Sequence, residues 1–300
     1  MNTRDAFRFL AVLFGLPITI WGCGSNTSAS PESKADAQQK ADVQQSTADA
    51  APDAAIVTCI KSSNALIADF TVDNSLNTAE GRSGGFYVYG DPDGTFDPPK
   101  NGDNPYPIDS TTGNPGCSGA GSFRVKASGF DVWGAAAGAD FVPKSGTYKG
   151  TYDASKYKGV SFWAKAGAAL TGVLVSFPDI YTDAGVDLAA LDAIDPTITQ
   201  PCVYNPAAAM NCSPYLVKFA DPQFPLYQSY QVDTTWKRFD ILFADTQQDK
   251  YNAGYHTAAN AIDTQHLTGM AIQVNAKYDA SGKASANDFE LWIDDVNFIE

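Results

Sequence analysis

The chain has 300 residues, with 34 acidic side chains against 20 basic ones, a formal net charge of −14 and 44% hydrophobic residues. That length accommodates one large all-β domain or two small ones. So acidic a balance excludes recognition of a phosphate backbone, which needs a basic stripe to displace counterions, and nucleic acid is not expected as a partner.

The chain begins "MNTRDAFRFLAVLFGLPITIWGCGSN", in which Arg4 and Arg8 precede an apolar run from Phe9 to Trp21. The run is too short for a permanent membrane span, and residues 1–22 read as a signal peptide. Ile20-Trp21-Gly22-Cys23 resembles a bacterial lipobox, with an aliphatic residue three before the cysteine and a small one directly before it. Trp21 departs from the pattern, which carries a smaller residue there. The resemblance implies cleavage before Cys23 and a diacylglyceryl thioether on its sulfur. Gly24 stands where an aspartate would imply retention at the inner membrane. The expectation is therefore an outer-membrane or cell-surface lipoprotein that meets the membrane through its lipid anchor alone.

Residues 23–55, "CGSNTSASPESKADAQQKADVQQSTADAAPDAA", contain no large apolar side chain except Val43. Such a segment cannot bury enough surface to offset its ordering entropy, and it reads as a disordered tether. Beyond Cys23 there are four cysteines, an even number that suits an oxidising compartment and allows three pairings. The short spacing of Cys202 and Cys212 favours a stapled loop, which leaves Cys59 with Cys117. There is no Cys-x-x-Cys, and the two histidines, His256 and His266, are remote from the cysteines, so a zinc site is not expected.

Residues 56–300 read as one β-sandwich domain. Short apolar or alternating runs recur between Gly, Pro, Asp and Asn clusters: "LIADF", "GFYVYG", "SFRVKASGF", "VSFWAKA", "GVLVSF", "RFDILFA", "GMAIQVNA" and "FELWIDDVNF". About eight such runs without a competing helical period predict an all-β, two-sheet sandwich of jelly-roll type. Val186 to Ile194 is expected to form a turn or two of helix. Gly90–Ser118 and Ile180–Tyr230 are expected as long loops.

Gly81-Arg82-Ser83-Gly84-Gly85 matches the G-x-S-x-G elbow of hydrolases. That motif must leave a strand and open a helix, whereas here it precedes the "FYVYG" run, so a serine hydrolase is not expected. A glycosidase needs two carboxylates facing each other across a cleft. Among 34 acidic residues a pair can always be found, and nothing in the sequence marks one.

The period of two in a strand sorts the remaining candidates by face. Val160, Phe162 and Ala164 share one face, and Trp163 lies on the other with Ser161 and Lys165. Tyr87 and Tyr89 oppose Phe86 and Val88, while Gln273 and Asn275 oppose Ile272 and Val274. These residues are expected together on the outer surface of one sheet, where flat rings and planar amides suit a saccharide. Trp133 and Arg124 fit either core or cleft, and Trp236 is expected to pack at a strand start.

In the final run the alternation breaks. Phe289, Leu291 and Ile293 share a parity that Val296 and Phe298 do not, and the break falls at Asp294 and Asp295. Two readings are open: a β-bulge that leaves an aspartate at the strand's edge, or a pair of hard oxygen ligands for calcium.

The order of "LIADFTVDNSLNTAEGRSGGFYVYGDPDGT", "GSFRVKASGFDVWGAAAGADF", "YDASKYKGVSFWAKA" and "FELWIDDVNF" resembles the galactose-binding-like β-sandwich of carbohydrate-binding modules, nearest the family 11 type. The resemblance implies a non-catalytic, monomeric carbohydrate binder. It also implies a structural calcium joining the first and last strands through Asp69 and Asp294 or Asp295, with Asp73 as a further ligand. A glycan-active enzyme and a structural or protein-contacting envelope domain are the alternatives. A binding module predicts exposed rings at Tyr87, Tyr89 and Trp163, and a structural domain predicts buried ones.

Overall fold

The structure, a computed structural model, describes residues 64–100, 106–110, 121–145, 148–183, 185–197, 215–217, 230–247, 261–278, 284–285 and 287–300. Cys23, Cys59, Cys117, Cys202 and Cys212 lie outside the described residues, as do the segments 1–22 and 23–55.

In chain order the strands are β1 (Leu66–Ala68), β2 (Phe86–Gly90), β3 (Thr95–Asp97), β4 (Phe123–Phe130), β5 (Gly134–Asp140), β6 (Val142–Ser145), β7 (Tyr148–Gly150), β8 (Gly159–Ala166) and β9 (Leu170–Phe177). They continue with β10 (Tyr215–Val217), β11 (Tyr230–Val232), β12 (Lys237–Leu242), β13 (Thr246–Gln247), β14 (Gly269–Asn275), β15 (Lys277–Tyr278), β16 (Ala284–Ser285) and β17 (Asn287–Ile299). Each of the eight apolar runs overlaps one of these strands. The helix α1 (Leu188–Ile194) falls inside the expected segment, and the Asp187 side chain caps it by accepting the Ala189 N–H.

Beside the separate two-stranded pairs β6–β7 and β15–β16, the other thirteen strands form two antiparallel sheets. One has six strands in the order β12-β8-β17-β4-β3, with β1 also on β17; the other has seven in the order β13-β10-β9-β14-β5-β2, with β11 on β9. Their inner faces make one core. Phe123, Val125, Val160, Phe162, Leu291 and Ile293 come from the first sheet, and Phe86, Val88, Val175, Phe177, Ile272 and Val274 from the second, all buried. Burying each such side chain contributes roughly 1.5–3 kcal/mol, so the alternation itself drives the two sheets together.

The parity break in β17 is a bulge. Asp294 pairs with Trp163 and Asn297 with Ser161, so Asp295 and Val296 together face Phe162. Asp295 takes a left-handed backbone (φ 46°), and the extra residue returns Val296 and Phe298 to the core. The expectation that an aspartate is left at the strand's edge is corrected, because β17 is central and Asp294 and Asp295 are 0% and 4% exposed. The bulge sits at a fork. On one edge β17 pairs with β8 from Leu291 to Ile299, on either side of the bulge; on the other it pairs with β4 as far as Ile293 and with β1 at Val296 and Asn297.

The G-x-S-x-G segment is structural. It follows a short 3-10 turn (Ala79–Gly81) and leads into β2, with Ser83 exposed and Arg82 fully buried. The Arg82 guanidinium donates to the carbonyls of Asn64 (2.8 Å), Leu66 (2.9 Å) and Asn77 (3.3 Å) and to the Tyr152 hydroxyl (2.5 Å). It also lies 5.4 Å from the centre of the Phe298 ring, which stacks on Tyr157 at 4.4 Å. The motif's arginine thus ties β1 and the following turn to the core.

Candidate functional site

On the outer face of the seven-stranded sheet, β2 and β5 lie side by side with Tyr87 opposite Gly138 and Tyr89 opposite Ala136. The ring centres of Tyr87 and Tyr89 are 5.8 Å apart, and those of Tyr89 and Trp133 5.9 Å, giving one row of three half-buried rings. The floor beneath them is made of small residues. A Cβ at Gly138 would lie 2.9 Å from Tyr89 Cε1 and 3.3 Å from Tyr87 Cζ, so the missing side chain is what lets the rings lie over the strand. Gln273 and Asn275 lie on the same face of β14, opposite Ala136 and Gly134, with the Gln273 amide donating to Asn275 Oδ1 at 2.6 Å.

Each end of the row is held. Trp133 sits in the β4–β5 turn, where the buried Asp91 carboxylate accepts the N–H groups of Val132 (2.5 Å), Trp133 (2.9 Å) and Gly134 (3.1 Å). Gly134 has φ +140°, and a Cβ there would lie 2.2 Å from the Val274 carbonyl, so the turn admits only glycine. At the other end the Tyr87 hydroxyl donates to Asp140 (3.0 Å), and Lys149 bridges Asp140 (2.8 Å) and Asp183 (3.1 Å). Thr268 donates to Asp183 in turn, at 2.7 Å.

This network sets the protonation of the row. Burial, with Asp140 beside it, pushes the Tyr87 phenol well above its ordinary range, and burial does the same to Tyr89. Both remain neutral donors at any working pH. Burial opposes the Lys149 ammonium, yet Asp183 and Asp140 hold its pKa above the ordinary value. Beyond Tyr87 a cleft of about 340 Å³ opens between Asp73, Ser75, Gly84 and Asp140.

The expected single aromatic face divides in two. Tyr87, Tyr89, Trp133, Gln273 and Asn275 come together, whereas Trp163 and Arg124 lie on the outer face of the six-stranded sheet, on the far side of the core. Trp163 faces outward from β8, as its parity requires, and is half-buried. Arg124 is paired with Glu290 (2.6 Å) and Asp97 (3.0 Å). The strand period fixes which way a side chain points from its own sheet and carries no information on which sheet that is.

The four aspartates expected around a calcium also divide. Asp69 accepts the N–H (3.2 Å) and hydroxyl (2.9 Å) of Thr71, Asp73 accepts the Ser75 N–H (2.7 Å), and the two line one shallow cleft. Asp294 and Asp295 occupy the bulge, where Asp294 Oδ1 accepts the Asp295 N–H at 2.8 Å. Among the described residues no three His, Cys, Asp or Glu side chains converge so as to hold a metal ion. The buried Asn297 Oδ1, one strand position beyond Val296, accepts no hydrogen bond among the described residues.

Asp91, Gly138 and the Asp140–Lys149–Asp183 bridge escape a reading of the sequence. The "GAAAGAD" run has neither β-branched nor aromatic residues and shows no period, although Gly138 within it makes the floor of the row.

No protein-family description matches the chain, and no curated protein matches it in sequence. Among solved structures it is similar to a family 11 carbohydrate-binding module from Clostridium thermocellum in complex with a β-1,3-1,4-mixed-linked tetrasaccharide. That likeness has 14% identity and a TM-score of 0.40, and covers 78% of this chain and 94% of the module. A family 30 carbohydrate-binding module of a cellulosomal cellulase of Clostridium thermocellum is similar over 65% of this chain and 81% of its own, at 14% identity and a TM-score of 0.34. An exo-β-agarase structure is similar over 78% of this chain and 24% of its own, at 9% identity and a TM-score of 0.36. Likeness at this level leaves function to the residues themselves.

Proposed function

We propose that the protein is a non-catalytic carbohydrate-binding lipoprotein that takes a poly- or oligosaccharide on the outer face of its seven-stranded sheet, as a monomer. The observation that carries this reading is the row Trp133–Tyr89–Tyr87, three rings in consecutive contact over a floor of small residues. A pyranose presents C–H faces flanked by hydroxyls, and flat rings beside the amides of Gln273 and Asn275 match that mixture. A shallow face of this kind gives modest affinity. Binding is favoured over turnover because the carboxylates bordering the row, Asp140 and Asp183, are both committed to Lys149.

Attachment to the outer membrane through Cys23 and the 23–55 tether belongs to the same proposal, as do the disulfides Cys59–Cys117 and Cys202–Cys212. So does a calcium ion at the fork of β17. The side-chain oxygens of Asp294, Asp295 and Asn297 have the chemistry of hard-cation ligands. There the ion would act as a staple between strands.

The test is retention of the detergent-solubilised full chain on a panel of polysaccharide gels, mixed-linkage β-glucan among them. Tyr89→Ala and Trp133→Ala should lose retention, and Trp163→Ala, on the far face, should keep it. No retention on any glycan by a folded chain would sink the reading. For calcium, chelation should lower the Tm of the wild type and leave Asp294→Asn unmoved; equal effects on both would remove the ion from the fork.

A further inference from the structure

The outer face of the six-stranded sheet carries a second aromatic row, of different chemistry. Lys165 on β8 pairs with Trp292 on β17, which pairs with Arg124 on β4. Trp236, directly before β12, reaches Lys165 from the opposite side. The Lys165 ammonium lies 4.8 Å from the centre of the Trp292 ring and 5.5 Å from that of Trp236, so it stands between two indoles. Trp292 is fixed in place, since its Nε1–H donates to Asp109 at 2.8 Å. Lys165, Trp236 and Trp292 are all half-buried, so each still presents surface to solvent.

In a chain of net charge −14, Arg124 on this face is paired with Glu290 and Asp97, and Arg238 with Asp240. Among the described residues no carboxylate lies within the 4.0 Å ion-pair distance of Lys165 Nζ. The two indoles supply the attraction of their ring faces, which orients the ammonium without a contacting carboxylate. A cation held in this way, in an otherwise acid-rich molecule, is complementary to an anion.

The surface around it narrows the class of anion. Strands in a sheet lie about 4.7–4.9 Å apart, so Trp236 and Trp292, on either side of Lys165, stand roughly two strand spacings from one another across an open sheet face. That pattern, two flat apolar surfaces with one positive charge between them, suits an extended ligand that alternates ring faces with a carboxylate.

We propose that the Trp236–Lys165–Trp292 row is a second glycan-binding surface, specific for a uronic-acid-bearing saccharide whose carboxylate pairs with Lys165 while its sugar rings cover the two indoles. It is carried by different residues from those of the tyrosine row, on the opposite side of the core, and stands or falls independently of the proposal made for that row.

The test is calorimetric titration of the detergent-solubilised full chain with a soluble oligogalacturonate, with the carboxyl-reduced oligosaccharide and with dextran sulfate. The oligogalacturonate should bind, and the carboxyl-reduced form should bind about tenfold more weakly or not at all, the scale of a lost charge-assisted hydrogen bond. Lys165→Met keeps the stem packed against the indoles and should show the same tenfold loss with an unchanged Tm, whereas Tyr89→Ala should bind as the wild type does. Absence of oligogalacturonate binding, equal binding of the reduced form, undiminished binding by a folded Lys165→Met, or binding of dextran sulfate alone would each overturn the assignment.

Discussion

The two outer faces of the sandwich arise from the same alternation and differ in what lies beneath their aromatic rings. On the seven-stranded sheet, Tyr87 and Tyr89 lie over Ala136 and Gly138, so the rings are supported from below and tied at their ends by Asp140 and Asp91. On the six-stranded sheet the rings have long charged neighbours: Lys165 and Arg124 on either side of Trp292, and Arg238 opposite Trp163. One face therefore presents an uncharged, pre-set surface, and the other a surface held by charges. Residue size on the neighbouring strand decides whether an aromatic ring lies down or is propped between ions.

The comparison rests on a shared core, and the largest expected effect removes both faces at once. Phe298→Ala deletes a fully buried ring stacked on Tyr157 and Tyr152 and should cost about 3–5 kcal/mol, read as a fall in the denaturant midpoint. A value below about 1 kcal/mol would mean that the stack closes over the gap.

The next effect touches one face only. Asp91→Ala strands three N–H groups in the turn that carries Trp133 and should cost about 2–4 kcal/mol, given roughly 1–3 kcal/mol for each buried donor left unpaired and partial access of water. Glycan retention by the tyrosine row should go with it, and retention that survives would show that Trp133 is not part of the row. Smaller again is Gly138→Ala, which drives a methyl group into both tyrosine rings and should cost about 1–3 kcal/mol. It should abolish β-glucan retention without altering the response of Lys165 to an acidic saccharide.

The smallest effects are read against pH. Asp179, directly after β9, is pushed up to about 6 by burial, from 3.8, against the hydrogen bonds that it accepts from the Asp263 N–H and from Thr182. Its protonated form favours the fold, so its contribution is complete below the ordinary value and is lost as the pH rises from 3.8 through about 6. Glu80 moves the other way. Hydrogen bonding from Lys156, against burial and with Tyr152 and Tyr157 assisting, holds it at about 2, from 4.5, in the turn that leads into β2. Its contribution is complete above 4.5 and is lost as the pH falls towards 2. Asp179→Asn should flatten the Tm profile on the neutral side, and Glu80→Gln on the acid side. A profile unchanged in either variant would break that assignment.

Much of the fold is legible in the sequence, because Val, Ile, Phe and Tyr mark the runs that became β2, β4, β8, β9, β14 and β17, and because the broken parity at Asp294 and Asp295 announces the bulge. β5 is not legible, since Ala and Gly carry little strand preference and both of its faces are covered. Of the site, parity gives the outward direction of Tyr87, Tyr89, Gln273 and Asn275, but it gives the same direction for Trp163 and cannot tell the two sheets apart. Which sheet a strand joins depends on pairings such as Trp163 with Asp294, far apart in the chain, that no local pattern encodes.

Such distant pairing has a further effect on how the molecule comes into being. β17 lies between β8 on one edge and β4 and β1 on the other, and it is the last of these strands to leave the ribosome. Until residues 287–299 have been synthesised, β8 can pair only with β12 and β4 only with β3, and β1 has no neighbour among the described strands, so the six-stranded sheet cannot be joined into one. The six-stranded sheet is therefore closed only by residues 287–299, and loss of that segment would leave β12–β8 and β4–β3 as separate pairs.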